Sequence, residues 1–140
     1  MEQEVLTPQQ KQLLEAISKE KLITDHFFFT GGTALALFYF HHRFSEDLDF
    51  FSENEFNPRQ IIIWVKKIKK VIEFFKIEQQ SLTGQEVFYF YTKPSKFVKI
   101  DFAYFPFPHL GNFKKYNQLN VSSIDDICVN KLHAITTRKR

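Results

Sequence analysis

Residues 27–35 read FFFTGGTAL and residues 47–51 read DLDFF, and these two stretches decide the fold. Three consecutive phenylalanines indicate a short buried strand, and the Gly-Gly pair indicates a tight turn from that strand into a helix. The second stretch alternates polar and apolar residues, which is typical of another strand. Because side chains alternate faces along a strand, Asp47 and Asp49 are predicted to share one face.

The rest of the chain supplies further helices and strands. Thr7 and Pro8 are suited to the start of a helix, as cap and first-turn residue. We predict helices at about residues 8–20, 34–41, 57–75 and from Ser122 or Ser123 to the chain end, strands at about 27–29, 47–51, 77–82, 86–92 and 97–105, and a loop at 109–118. This order implies an α+β (α/β-like) fold, in which helices pack on one mixed sheet.

Composition places the chain among single globular domains. It has 140 residues, 44% of them hydrophobic and 25% charged, which excludes general disorder. No apolar run approaches the roughly 20 residues that a membrane helix needs. The single cysteine, Cys128, is expected to be a small buried residue, and one cysteine favours a reducing compartment. Residues 1–10 do not resemble a signal peptide, so we predict a cytoplasmic protein.

Charge is divided unevenly along the chain. Residues 1–64 carry five Lys and Arg against ten Asp and Glu, whereas residues 65–140 carry fourteen against six. An acidic half that holds metal and a basic half that holds a polyanion would suit an enzyme acting on nucleotides or nucleic acids. An ordinary solvated surface is about as good an explanation of the charges alone.

The Gly-Gly turn and the Asp-x-Asp strand together favour phosphate chemistry. Two neighbouring carboxylates repel each other unless a cation lies between them, and divalent metals prefer such oxygen ligands. Backbone N–H groups at Gly31 and Gly32 could approach a phosphate closely. Each motif alone is more often a plain turn or a solvated strand edge. An EF-hand and a Walker loop are both excluded, because their required glycine and lysine positions are not filled.

Two later segments add candidate residues. Asp101 is a lone acid in the apolar run 97–105, and it would complete a three-carboxylate metal site if its strand lies beside residues 47–51. Otherwise Asp101 is a satisfied polar group or an edge residue. Lys131 and Arg138 share a face of the last helix and could grip a triphosphate, although a solvated helix is at least as good an explanation.

Taken together, these residues resemble the DNA polymerase β superfamily of nucleotidyltransferases. The closer resemblance is to the AbiEii/AbiGii toxin family, which includes the MenT toxins. It spans about residues 27–140 and rests on five segments in order: GGTAL at 31–35, RFSEDLDF at 43–50, FVKID at 97–101, DDI at 125–127 and KLHA at 131–134, followed by Arg138.

The resemblance implies a polymerase β-type core and a role for each matching residue. The implied activity is transfer of a nucleotide from an NTP, with Mg²⁺ or Mn²⁺, to an RNA acceptor, the tRNA 3′ end in MenT-like members. The catalytic and metal-binding residues would be Asp47, Asp49 and Asp101. The nucleotide-binding residues would be Gly31, Gly32, Thr33, Arg43, Ser45 and Lys131. A toxin–antitoxin or phage-defence system, with an antitoxin protein as partner, is also implied.

One departure from the family pattern leaves a second interpretation open. Family members usually continue with a further acidic motif and a helical C-terminal domain, whereas this sequence ends at Arg140. We therefore expect residues 1–140 to form a single nucleotidyltransferase domain without the helical one. The alternative to an active enzyme is a non-catalytic NTP- or RNA-binding module that needs a partner or that domain. A third, weaker interpretation is a basic RNA-binding protein that uses surface lysines and aromatic stacking.

Overall fold

A computed structural model describes residues 5–41 and 47–130 of the chain. The helices are α1 (Pro8–Ser18), α2 (Lys21–Thr24), α3 (Gly31–Leu35) with a π-helical continuation (Ala36–Phe40), α4 (Pro58–Lys69) and a last helix, α5, described over residues 124–130. The strands are β1 (Phe28–Thr30), β2 (Leu48–Ser52), β3 (Lys76–Leu82), β4 (Gln85–Lys93), β5 (Lys96–Tyr104), β6 (Lys114–Tyr116) and β7 (Leu119–Val121).

The strands form one mixed seven-stranded sheet in the order β3-β4-β5-β2-β1-β7-β6. The pairs β2–β5 and β1–β7 are parallel, and the other neighbours are antiparallel. The predicted α+β fold with a mixed sheet is therefore confirmed. The position of β2 between β1 and β5 brings the two acidic strands side by side and places the Gly-Gly turn next to them.

Phenylalanine fills the core on one face of the sheet. Phe50 is fully buried, and its ring stacks between those of Phe29 at 5.1 Å and Phe102 at 5.3 Å between centroids. Trp64 from α4 meets Phe102 edge-on at 6.5 Å. Each such fully buried side chain contributes roughly 1.5–3 kcal/mol through loss of apolar surface to water. The opposite face of β2 and β5 carries the acids Asp49 and Asp101, together with Phe51 and Phe97.

Helix boundaries follow local capping. Helix α1 begins where the Thr7-Pro8 pair predicts, and Thr7 forms a reciprocal capping box with Gln10 there. The predicted helix at 57–75 is too long, because α4 ends at Lys69. Phe75, which helical spacing places on the buried face, is 59% exposed beyond that end. Periodicity does not locate this end because the apolar spacing continues past the last helical residue.

The predicted loop at 109–118 is wrong in part. It contains β6, which forms a hairpin with β7 through a turn in which Asn117 takes a left-handed conformation with φ of 53°. Strands of three residues are too short for an alternating pattern to stand out. The apolar-polar-apolar run at residues 119–121, whose outer residues Leu119 and Val121 are buried, is the signal that could have revealed the hairpin.

Two further expectations can be compared with the described residues. Cys128 is exposed on α5, so its predicted burial is wrong. The buried face of this helix is formed by Asp126 and Ile127, and Cys128 lies outside it. Ser123 begins this helix by accepting a hydrogen bond from the backbone N–H of Asp126 at 3.2 Å, as predicted. None of the helices within residues 5–41 and 47–130 is long and apolar enough to cross a membrane.

Candidate active site

The two acidic strands meet in register. In the parallel pair of β2 and β5, Asp49 lies directly opposite Asp101. Both side chains point away from the phenylalanine core, because their neighbours Leu48, Phe50 and Ile100 are fully buried on the other face. Asp47 lies one residue before β2, on the same side as Asp49. The condition that the sequence left open for Asp101, a neighbouring strand with a matching face, is therefore met.

The Gly-Gly turn packs directly against this acidic face. Gly31 has a φ of +86°, a backbone conformation that L side chains rarely adopt. A Cβ added at Gly31 would lie 3.0 Å from Cγ of Asp49 and 3.1 Å from its Cβ, and would collide with a carboxylate oxygen. Glycine is therefore required at position 31 for two reasons, its backbone angle and its contact with Asp49. The turn and the carboxylate form one structural unit.

Thr33 ties the helix after this turn to the start of the acidic strand. Its hydroxyl Oγ1 donates a hydrogen bond of 2.5 Å to the backbone carbonyl of Asp47. Thr33 itself is fully buried. The structure thus gives Thr33 a positioning contact with Asp47, whereas its predicted contact with a nucleotide stays a prediction.

Two residues that the sequence did not single out hold the carboxylates. Gln85 on β4 donates from Nε2 to both oxygens of Asp101, at 2.9 and 2.7 Å. Lys99 on β5 places Nζ 3.8 Å from Oδ2 of Asp47. Lys99 could have been found from its spacing, since it lies two residues before Asp101 on the same strand face. Gln85 has no such signal, because its place depends on how β4 pairs with β5.

Burial and mutual repulsion disfavour the charged forms of the acids. Burial, followed by the charges of Asp101 and Asp47, raises the pKa of Asp49 to about 7. Lys99 opposes this rise. Burial also raises the pKa of Asp101, against the opposing effects of the Gln85 hydrogen bond and of Lys99. Asp49 is thus half protonated near neutral pH, and a bound cation would displace its proton.

A buried hydroxyl lies beside the acids. Thr30 is paired with Asp49 across β1 and β2 and is 1% exposed. Its Oγ1 makes no hydrogen bond in the structure as described. No sequence signal marks Thr30, because a threonine before a glycine turn has no distinctive pattern. An unsatisfied buried oxygen next to a protonatable carboxylate is typical of a polar site that accepts a ligand.

The donor set matches a divalent cation in chemical type. Carboxylate and hydroxyl oxygens are the ligands that Mg²⁺ and Mn²⁺ prefer. Within residues 5–41 and 47–130, however, no three His, Cys, Asp or Glu side chains are already gathered to hold a metal. Because Lys99 contacts Asp47 and Gln85 contacts Asp101, metal binding would require these carboxylates to converge on Asp49.

Several predicted nucleotide contacts cannot be placed. Arg43, Ser45 and Lys131, together with Arg138, lie outside the described residues. Gly32 is buried in the first turn of α3, next to Gly31. The structure therefore brings together Gly31, Gly32, Asp47, Asp49 and Asp101, and the remaining nucleotide contacts stay predictions.

Comparison with known families agrees with this arrangement. A family model described as nucleotidyl transferase AbiEii toxin, Type IV TA system, matches residues 12–140. The chain belongs to this AbiEii family. The match covers the Gly-Gly turn, Asp47, Asp49 and Asp101, and it confirms the predicted family and nucleotidyltransferase class. Comparison with curated proteins gives no match.

Two solved structures share the fold. The JHP933 protein of Helicobacter pylori is 24% identical, with a TM-score of 0.62 over 91% of this chain and 57% of its own. A candidate nucleotidyltransferase from H. pylori is 26% identical, with a TM-score of 0.62 over 91% of this chain and 59% of its own. This AbiEii chain therefore spans less than two thirds of the length of these structures.

Proposed function

We propose that this AbiEii chain is a Mg²⁺-dependent nucleotidyltransferase that moves a nucleotide from an NTP to the 3′ hydroxyl of an RNA, with tRNA as the acceptor. The observation that carries the proposal is the register of Asp49 with Asp101, beside a glycine turn that packs on Asp49. A phosphate-binding turn and a metal-binding set of acids are the two parts that nucleotidyl transfer needs.

The reaction forms one bond and breaks one. The acceptor 3′ oxygen bonds to the α-phosphorus of the NTP, and the bond from that phosphorus to the bridging oxygen breaks, which releases pyrophosphate. When bound, Mg²⁺ would neutralise the phosphate charge and lower the pKa of the attacking hydroxyl. Asp47, Asp49 and Asp101 would hold it.

The protein's own groups divide the site into two sides. Gly31 and Gly32 lie on the β1 side of Asp49 and are suited to hold the NTP phosphates through their backbone N–H groups. Asp101 lies on the β5 side, where its carboxylate can accept a hydrogen bond from the acceptor hydroxyl. Thr33 and Gln85 keep Asp47 and Asp101 in place. Arg43, Ser45 and Lys131 would supply further phosphate contacts.

The family also supports proposals about the setting of the reaction. AbiEii proteins are described as toxins of toxin–antitoxin systems. We therefore propose an antitoxin protein as partner, a role in phage defence and action in the cytoplasm, where tRNA and NTPs are available. These proposals concern the whole protein, and the chain spans less than two thirds of the length of the similar solved structures.

The test is transfer of each labelled NTP onto total tRNA in the presence of Mg²⁺. Asp49→Asn keeps the shape of the side chain but removes its charge, so we expect loss of transfer by at least about 100-fold. Asp25→Asn, at an exposed aspartate after α2, is the matched control and should transfer as the native chain does. Native-like transfer by folded Asp49→Asn would overturn the metal assignment.

The alternative is a binding module without catalysis. It is favoured by one observation: the carboxylates are held apart by Lys99 and Gln85 rather than gathered around a cation position. A chain that binds Mg-NTP in calorimetry, yet transfers no label under any condition tested, would support this alternative. Labelling of tRNA by the native chain alone would exclude it.

A further inference from the structure

The polar face of the sheet continues beyond the acids into a row of aromatic side chains. Tyr89 and Tyr91 on β4 and Phe97 on β5 lie on the same face as Asp101, as their odd-numbered positions and strand pairing require. We call these three residues the aromatic patch. Phe97 is 44% exposed, and both tyrosines are half-buried. The core phenylalanines Phe88 and Phe90 occupy the other face.

The aromatic patch is already arranged as one surface. The Phe97 ring lies 5.2 Å from the Tyr89 ring, edge to face, and 5.2 Å from the Tyr91 ring. Lys76 from β3 holds its ammonium group 4.5 Å above Tyr91. Rings fixed by their neighbours lose little freedom when a planar ligand stacks on them.

The charges around the aromatic patch favour a polyanion. Residues 76–99 contain four lysines and two glutamates, and Glu86 is buried on the opposite face of β4. Lys93 and Lys96 pair with each other at the hairpin end, where both are exposed. They lie beyond the aromatic patch rather than on its face, because Lys96 directly precedes Phe97 on β5. Glu78 is the remaining acid, and it pairs with Lys76 at 3.7 Å. Positive charge beside exposed aromatic rings is the combination that binds single-stranded nucleic acid.

Strand order determines on which side of the acids the aromatic patch lies. β5 and β4 lie on the side of β2 that is remote from β1 and the Gly-Gly turn. Phe97, Lys99 and Asp101 alternate along one strand, and Phe97 lies about 13 Å from Asp101 at the usual rise of about 3.3 Å per residue. If NTP phosphates occupy the glycine side, the side of β5 and β4 is left for an acceptor.

We infer that the aromatic patch, with Lys76 over Tyr91 and the exposed lysines Lys93 and Lys96 at the hairpin end, binds the single-stranded 3′ segment of the acceptor RNA and directs its end to Asp101. The inference rests on the proposed function for the identity of the acceptor. Bases would stack on Phe97 and the tyrosines, while the lysines contact phosphates. A protein partner is the competing occupant of this face. Binding a protein, however, does not require lysines beside exposed aromatic rings.

The experiment measures binding separately from transfer. Fluorescence anisotropy follows the full chain as it is titrated onto a labelled ten-nucleotide single-stranded RNA, without NTP or metal. Stacking of a base on an aromatic ring predicts that Phe97→Ala weakens binding at least fivefold. Phe97→Tyr retains a ring and should bind within about twofold of the native chain, which separates stacking from misfolding. Phe107→Ala, at another exposed phenylalanine, is the control and should bind normally.

Each outcome decides the inference. A selective loss in Phe97→Ala, together with weaker binding at higher salt, supports it. Equal affinity of Phe97→Ala and the native chain overturns it and leaves the aromatic patch to a protein partner. Failure of the native chain to bind the RNA overturns it as well. Calorimetric binding of Mg-NTP is scored independently: NTP binding without RNA binding rejects the aromatic patch alone, and RNA binding without NTP binding rejects the proposed function.

Discussion

Gly31 and Asp49 are in such close contact that no side chain fits between them. The contact joins the turn after β1 to the acidic strand β2, although the two residues are eighteen apart in the sequence. It explains why a glycine turn and an Asp-x-Asp strand occur together in this chain. The turn needs the left-handed backbone of Gly31, and the carboxylate needs the space that a missing Cβ leaves.

Gly31→Ala tests this contact. The substitution adds backbone strain of about 1 kcal/mol or more and a collision with Asp49, so we expect a clear fall in the free energy of unfolding measured in urea. Gly84→Ala is the matched control: Gly84 has a similar φ of +70°, but its added Cβ would lie 3.7 Å from Tyr104. The difference between the two variants measures the collision alone. Equal destabilisation would contradict the close contact.

Asp49 makes the stability of the chain depend on pH. Its pKa in the folded state is about 7, above its ordinary value of 3.8, so the folded chain binds more protons than the unfolded chain between these values. Stability without metal should therefore fall as pH rises from about 4 to 7, by up to roughly 3–4 kcal/mol. Asp49→Asn should flatten this profile. Urea unfolding at a series of pH values measures the pH dependence of stability in the native chain and in Asp49→Asn. The same pH dependence in both would refute the raised pKa of Asp49.

Gln85 is expected to matter through Asp101. Gln85→Met removes the two hydrogen bonds to the carboxylate while keeping the length of the side chain. Loss of such an outer contact to a metal ligand commonly costs 10- to 100-fold, so we expect a fall of about that size in Mg²⁺ affinity, measured by calorimetry. Gln80→Met, at an exposed glutamine on β3, serves as control. Unchanged Mg²⁺ affinity in Gln85→Met would show that Asp101 does not depend on this contact.

Thr33 is expected to contribute to stability through Asp47. Thr33→Val keeps the shape of the side chain but removes the hydroxyl that donates to the Asp47 carbonyl. The loss of a buried hydrogen bond should lower the free energy of unfolding by about 1–2 kcal/mol. Thr83→Val, in the exposed β3–β4 turn, should change it little. Thermal or urea unfolding of both variants compares them, and equal effects would argue against a specific role for this bond.

Sequence alone predicts the elements around the site because their patterns are local. The alternation in residues 47–51, the Gly-Gly turn and the Thr7-Pro8 helix start are all short-range signals. The role of Gln85 depends instead on the register between β4 and β5, which no local pattern reports. The orphaned hydroxyl of Thr30 is visible only once β1 pairs with β2.

Two predictions that fail, the end of helix α4 and the loop at 109–118, do so for physical reasons. Helix α4 ends six residues before Phe75, although apolar spacing continues, because periodicity shows which face would be buried and not where the chain turns. The hairpin of β6 and β7 is not predicted from the sequence because each strand has only three residues. Strand β7 pairs with β1, which lies more than eighty residues earlier in the sequence. The place of the hairpin in the sheet is therefore set by tertiary pairing.

The role of Asp101 is the most direct test of the account, because only the pairing of β2 with β5 joins it to the other acids. The measurement is transfer of labelled NTP onto total tRNA by native and Asp101→Asn chains in Mg²⁺, with urea unfolding as the check of folding. The account predicts loss of transfer by at least about 100-fold in a variant as stable as the native chain. Native-like transfer by folded Asp101→Asn would contradict it.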